Sequence, residues 1–157
     1  MEFGIKWGVQ RIGGGFILGQ ADVSRGNFND QNHVREALDR HVNLFGKPPI
    51  AFGYDRGGWS PRNNEYLVAV GVRQNGIAPK GGASWEVYGR AKEKLIKERA
   101  RIEGDIGSIK GHRYGFNRPA ARSETMMLTC GHRSMLGYNL NKLMRRQAAH
   151  EGVALIG

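Results

Sequence analysis

Two stretches of this sequence carry residue types suited to handling a phosphate ester. The first is YDRGGWS, residues 54–60, in which Asp55 is followed by Arg56 and two glycines. The second is RARIEGDIGSIK, residues 99–110, which spaces Arg99, Glu103 and Lys110 at intervals of four and seven. At about 100° per residue, these three side chains fall within about 60° of one another on a helix. A carboxylate so placed can bind a divalent cation, which prefers oxygen ligands. The two cationic residues can hold phosphates on either side of it. Asp55, at the tip of a buried strand, would lie where α/β sheets usually place ligands, and the glycines after it would let the backbone approach a substrate. Each feature also has a plainer reading. Asp commonly opens a turn before Gly-rich segments, and Arg99–Glu103 at i,i+4 is an ordinary surface salt bridge worth about 0–1 kcal/mol. Gly104 and Gly107 each cost about 1 kcal/mol relative to Ala inside a helix, so they predict that something packs very close there, either a sheet or a DNA backbone.

The elements that must position these residues follow from periodicity and punctuation. Residues 2–12 alternate, with Phe3, Ile5, Trp7 and Val9 on one side and Lys6 and Gln10 on the other, which is a strand. Gly13–Gly15 read as a turn, and a second strand from Phe16 to about Ser24 would close an antiparallel hairpin. Asp30 is placed to cap a helix over 31–45 whose stripe is Val34, Leu38, Val42 and Phe45. Gly46 and Pro48-Pro49 end it. The mostly apolar PPIAFGYD predicts a buried strand ending at Asp55. Ser60-Pro61 is a strong start for a helix reaching Gly71. VRQNGIAP predicts another short strand and KGGAS a flexible loop. A long helix is expected from Trp85 to Lys110, seated through Leu95, Ile102, Ile106 and Ile109. After the basic connector HRYGFNRPAARS, a last helix over 124–150 has Met127, Leu136, Leu140, Leu143 and Met144 among its apolar positions. The order β-β-α-β-α-β-α-α suggests an α/β fold, a mixed sheet covered by helices. One domain is expected over 1–150, with a short tail at 151–157.

Composition narrows the partners. The chain has 157 residues, 39% hydrophobic and 24% charged, enough for one domain with a real core. Its 24 Lys and Arg against 14 Asp and Glu leave a net charge of +10, which points to a polyanionic partner, most simply nucleic acid. No apolar run approaches the roughly 20 residues needed to cross a membrane. The first ten residues alternate and do not read as a secretory signal. The single cysteine, Cys130, excludes an internal disulfide and a cysteine-rich zinc site, and a reducing cytoplasm is the natural compartment. Cys130 itself reads as a small buried residue. The five histidines show no metal-ligand spacing. His112, beside Arg113, reads as touching phosphate or solvent. Trp59 either packs on the core or stacks on a base.

Taken in order, these stretches resemble the C-terminal part of the catalytic domain of bacterial insertion-sequence DDE transposases, which have an RNase H-like fold. The family's second Asp stands at a strand end before an Arg-Gly-rich turn, as in YDRGGWS. Its Glu helix carries a Y-x2-R-x3-E-x6-K signature, matched here at Arg99, Glu103 and Lys110, with Ile96 in the Tyr position. GHRYGFNRPAARS and YNLNKL look like the basic segment and the Asn-Leu helix that follow. EFGIKWGV and the RGNFND helix start resemble the segments ahead of the second Asp. The resemblance spans nearly the whole chain.

It implies that Asp55 and Glu103 are two of three metal-binding carboxylates, serving Mg2+ or Mn2+ in a two-ion displacement at phosphorus. It implies that Arg99, Lys110, Arg56, His112 and Arg113 meet DNA phosphates. The partners would be transposon ends and target DNA, held by a homodimer at the bacterial nucleoid in the cytoplasm. The family's first Asp lies on a strand ahead of the segment resembling EFGIKWGV. Neither Asp22 nor Asp30 occupies that place, and Asp105 points elsewhere on the helix from Glu103. The expectation is therefore an N-terminally truncated fold, weak or inactive alone, with an exposed sheet edge. The other readings are a non-catalytic basic nucleic-acid-binding remnant that regulates a full-length relative, and a nuclease of the same fold whose site another acid completes.

Overall fold

The chain's first turn needs a backbone that only glycine adopts easily. Gly14 and Gly15 have φ of 81° and 76°, in the left-handed region that side chains avoid. Around them, strand β1 (Lys6–Arg11) pairs antiparallel with β2 (Ile17–Asp22), with Lys6 opposite Asp22 and Arg11 opposite Ile17. This is the expected hairpin. The computed structural model describes residues 5–22, 30–79, 84–85, 87–117 and 122–152. Phe3, Ser24, the glycines of KGGAS and part of the basic connector lie outside that set.

Helix α1 (Asp30–Phe45) buries Val34, Ala37 and Leu38. Asp30 already lies within the helix and is not a cap ahead of it, which corrects the capping assignment. The end of the stripe also departs from expectation, since Phe45 is exposed. Gly46, at φ 67°, donates its N–H to the Val42 carbonyl at 2.8 Å and ends the helix ahead of the two prolines.

Strand β3 is only Ala51–Phe52, parallel to β4 (Gln74–Asn75), so the strand stops short of Asp55. Packing explains why β4 gives way at Gly76. Its N–H donates to the Phe52 carbonyl at 2.7 Å, and a Cβ there would lie 2.9 Å from that oxygen and 2.7 Å from Leu95 Cδ2. Only glycine allows so close a passage.

Helix α2 (Pro61–Val70) starts as its sequence predicts. Ser60 Oγ accepts from the Asn63 N–H at 3.1 Å, Pro61 follows, and Gly71 at φ 98° closes the other end. Helix α3 (Gly89–Lys110) begins four residues later than expected, and Trp85 instead donates Nε1–H to the Asn75 carbonyl at 2.9 Å. Helix α4 (Glu124–Glu151) runs from a Ser123 cap, whose Oγ accepts from Met126 N–H, to Gly152 at φ 68°.

The class is α/β. Among the described residues there are four α-helices and two separate two-stranded sheets, one antiparallel and one parallel, where a single mixed sheet was expected. No helix among the described residues is long and apolar enough to cross a membrane.

The described residues divide into two units, one drawn from 1–23 and 102–157, the other from 24–101, so the division falls within α3. The 24–101 unit has an aliphatic core of Val34, Leu38, Phe52, Leu67, Val72 and Ile77, against which Tyr54, Trp59, Tyr66 and Val70 pack. Trp59 therefore belongs to the core, the first of its two readings. In the other unit Ile17, Ile109, Met135 and Tyr138 are buried, with Trp7, Val9, Ile102, Tyr114 and Phe116 against them.

The buried face of α4 differs from the expected one. Leu136, Leu140, Leu143 and Met144 are 49–58% exposed, and Gly131, Ser134, Met135, Tyr138 and Ala148 face inward. Both sets obey a helical period, so hydrophobicity alone could not choose between them. Close packing chose. Gly131 lies against Trp7, Gly19 lies against Met135, and Ser134 Oγ donates to the Tyr114 carbonyl at 2.6 Å. Cys130, expected to be buried, is half-buried beside this face.

Candidate functional site

Asp55 sits just before a 3-10 turn, Arg56–Gly58, and caps it. Its Oδ1 accepts from the Arg56 backbone N–H at 2.7 Å. This is the turn-opening role that Asp favours ahead of glycines. The same oxygen accepts from Arg99 Nη2 at 2.6 Å, closing an ion pair between residues 44 positions apart. The pair is open to water, with Asp55 69% and Arg99 46% exposed at the side chain.

The turn is held from below. Asn63, almost fully buried, donates through Nδ2 to the carbonyls of Gly58 at 2.8 Å and Gln31 at 2.9 Å. Its Oδ1 accepts from Arg35 Nε at 3.3 Å. Arg35 in turn donates Nη2 to the Arg62 carbonyl and lies 4.8 Å from the Tyr66 ring centre. One buried amide thus ties the start of α1, the start of α2 and the turn bearing Asp55. Sequence reasoning missed Asn63. Its position three residues after Ser60, where its N–H meets the cap, was the available signal.

The two glycines of RGG serve packing, which corrects the idea that they admit a substrate. A Cβ at Gly58 would collide with Tyr54 and Val34, and one at Gly57 would lie 2.5 Å from Asp30 Oδ2. Burial, then the nearby carboxylates of Asp30, Asp55 and Glu36, push the Tyr54 hydroxyl well above its ordinary range. It therefore stays protonated at neutral pH.

Arg99 and Glu103 lie four residues apart on α3, and both are exposed. Asp55 and Arg99 belong to the 24–101 unit, Glu103 and Lys110 to the other. Gly104 and Gly107 do not mark a close approach of the sheet, because a Cβ at either would meet open space. That expectation is overturned for the protein's own packing. The bare surface leaves Gly104's carbonyl to accept from Ser108 Oγ at 2.9 Å.

Lys110 ends α3 and is exposed, as are His112 and Arg113 in the turn that follows. Arg113 lies 6.0 Å from the Tyr114 ring centre. Cations at a helix C-terminus complement its dipole, so this basic run also steadies the helix end. Arg56 is exposed on its turn.

Among the described residues, no three His, Cys, Asp or Glu side chains gather to hold a metal ion. Asp55 already accepts two hydrogen bonds from cationic or amide donors. This donor set does not by itself fit a two-ion centre, which needs several carboxylates converging. What the Asp55–Arg99 pair can do is bind a polar ligand at a rigid turn, with Arg99 able to exchange its carboxylate for a phosphate. No family model, curated protein or solved structure matches this chain, so the site stands on its own geometry.

Proposed function

We propose that this chain acts on DNA as catalytic-domain sequence of the insertion-sequence DDE transposase type, on an RNase H-like plan, with strand cleavage and transfer impaired. The observation that carries the reading is the Arg99–Asp55 pair. Two residues of the resemblance, far apart in sequence, meet at 2.6 Å. The net charge of +10 supports a polyanionic partner. In this reading Asp55 and Glu103 are each, by the resemblance, carboxylate ligands for Mg2+ or Mn2+, and Arg56, Arg99, Lys110, His112 and Arg113 meet DNA phosphates. The chain's own cations would hold the register of the strand.

A second reading has its own support. Asp55 is engaged by Arg99, and no third acid gathers with it among the described residues, which favours a non-catalytic module that holds DNA. Calorimetric titration with Mn2+ separates the two. Binding that disappears in both Asp55→Ala and Glu103→Ala supports the metal site. Unchanged binding, or none, leaves the DNA-holding module. Common to both readings is a steep fall of duplex affinity with salt, about 10³-fold or more between 50 and 200 mM if six or more phosphates are met. Salt-independent binding, or no binding, would remove DNA as the partner. Strand transfer by this chain alone would refute the impairment.

A further inference from the structure

The hairpin turn at Gly13–Gly15 gathers cations that the proposed function does not use. A methyl group added at Gly15 would sit 2.7 Å from both Arg11 Nη2 and Lys142 Nζ, and one at Gly14 would sit 2.6 Å from Arg146 Nη1. Three positive side chains, one from β1 and two from α4, thus converge on consecutive glycines. Like charges held together repel, and water screens them less where they are half-buried. Arg11 and Lys142 are 19% and 27% exposed. A counter-charge at the turn is Asp105 on α3. Its Oδ2 accepts from Arg11 Nε at 2.8 Å, and its Oδ1 lies 3.5 Å from Lys142 Nζ and accepts from the Tyr138 hydroxyl. Arg11, Lys142 and Arg146 thus gather at the turn beside the Asp105 carboxylate.

The cations are also pre-positioned. Lys142 Nζ donates to the Tyr138 hydroxyl at 2.7 Å, and the Arg146 guanidinium lies 5.4 Å from the centre of the Phe16 ring. An arginine stacked on a ring keeps its N–H edges available, and less side-chain freedom is lost when it binds. Gly13 faces open space, with nothing within 4 Å of where a Cβ would stand. An anion can therefore reach the backbone of a turn whose left-handed glycines belong to the class that forms anion-binding concavities.

We propose that the Gly13–Gly15 turn, with Arg11, Lys142 and Arg146 around it, binds a backbone phosphate of a nucleic acid. The choice of nucleic acid over a free phosphate rests on the DNA reading above. The phosphate-binding chemistry rests only on the turn.

The test uses the full chain and a fluorescent duplex, with affinity followed across a salt series. The Lys142→Gln/Arg146→Gln double variant is expected to bind about tenfold or more weakly at low salt, with the log–log salt slope reduced by about one to two. Arg133→Gln/Arg145→Gln removes the same charge from exposed positions on the same helix and is expected to lose clearly less. Arg146→Lys keeps the charge and is expected to retain most of the affinity, which separates lost charge from lost packing on Phe16. Equal losses in the two double variants, or no loss in the first, would overturn the site while leaving DNA binding in place. No DNA binding by the unaltered chain would overturn the nucleic-acid reading as a whole. A titration with inorganic phosphate, read at the Gly13 and Gly14 amides by NMR, then judges the turn separately. Shifts there with DNA binding unaffected in the variant would assign the turn to a free anion and overturn the proposal as stated.

Discussion

The two units solve the same problem, fixing functional side chains at a surface, by different chemistry. In the 24–101 unit the fixing is done by aliphatic packing. Val34, Leu38, Leu67 and Ile77 are at most 1% exposed, and the polar element that matters, Asn63, is satisfied by backbone groups. In the other unit the small core of Ile17, Ile109, Met135 and Tyr138 is bordered by a network of ions, Arg11, Asp105, Tyr138 and Lys142. Apolar packing is non-directional and holds a turn in place without specifying which charge sits on it. An ion network specifies the charge, and loses it together with its geometry when one member is removed. Asp55 can therefore be altered with little harm to its scaffold, whereas the cations at the Gly13–Gly15 turn are part of theirs.

That contrast can be broken by mutation. The largest effect is expected for Leu38→Ala, about 2–5 kcal/mol of stability, because a fully buried leucine leaves a cavity. Chemical denaturation would measure it, and a loss below about 1 kcal/mol would mean that the aliphatic core does not dominate. Next comes Asp105→Ala, about 2–4 kcal/mol, since it leaves Arg11 and Lys142 facing each other without their carboxylate. A neutral outcome would show that the network is ornamental to the fold.

Tyr138→Phe is smaller, about 1 kcal/mol at neutral pH. It carries a pH signature. Burial, and then the hydrogen bond to Asp105, push the Tyr138 hydroxyl above its ordinary value. The unfolded phenol loses its proton near pH 10 while the folded one keeps it. This contribution is thus complete below about pH 10 and declines as pH rises beyond it. The phenylalanine variant should show a shallower alkaline decline, and an unchanged one would separate Tyr138 from the network. The smallest effect is expected for Arg99→Ala, about 0–1 kcal/mol, because an exposed ion pair adds little to stability. A large loss would sharpen the comparison in the opposite direction, making the Asp55 turn dependent on its charge.

Much of the local structure was legible from residue types. Ser60-Pro61 and Gly71 bracketed α2, Ser123 opened α4, and three consecutive glycines set the hairpin turn, because caps and turns obey rules that reach only a few residues. Less was legible where two readings shared one pattern. YDRGG fitted both a ligand-approach loop and a packed turn, and only the positions of Tyr54, Val34 and Asp30 show that its glycines are packed. On α4 the stripe through Leu136, Leu140 and Leu143 was as periodic as the one through Gly131, Met135 and Tyr138, and the larger residues lay outside.

The sequence by itself determined where helices begin and end, the hairpin and the strong positive charge, since each depends on neighbours in the chain or on composition. Only the tertiary structure decided which helix faces are buried, that Arg99 reaches Asp55, and that Arg11, Lys142 and Arg146 meet at one turn. Those outcomes depend on distances between residues far apart in sequence. Close packing and paired charge select among patterns that hydrophobicity alone leaves equal.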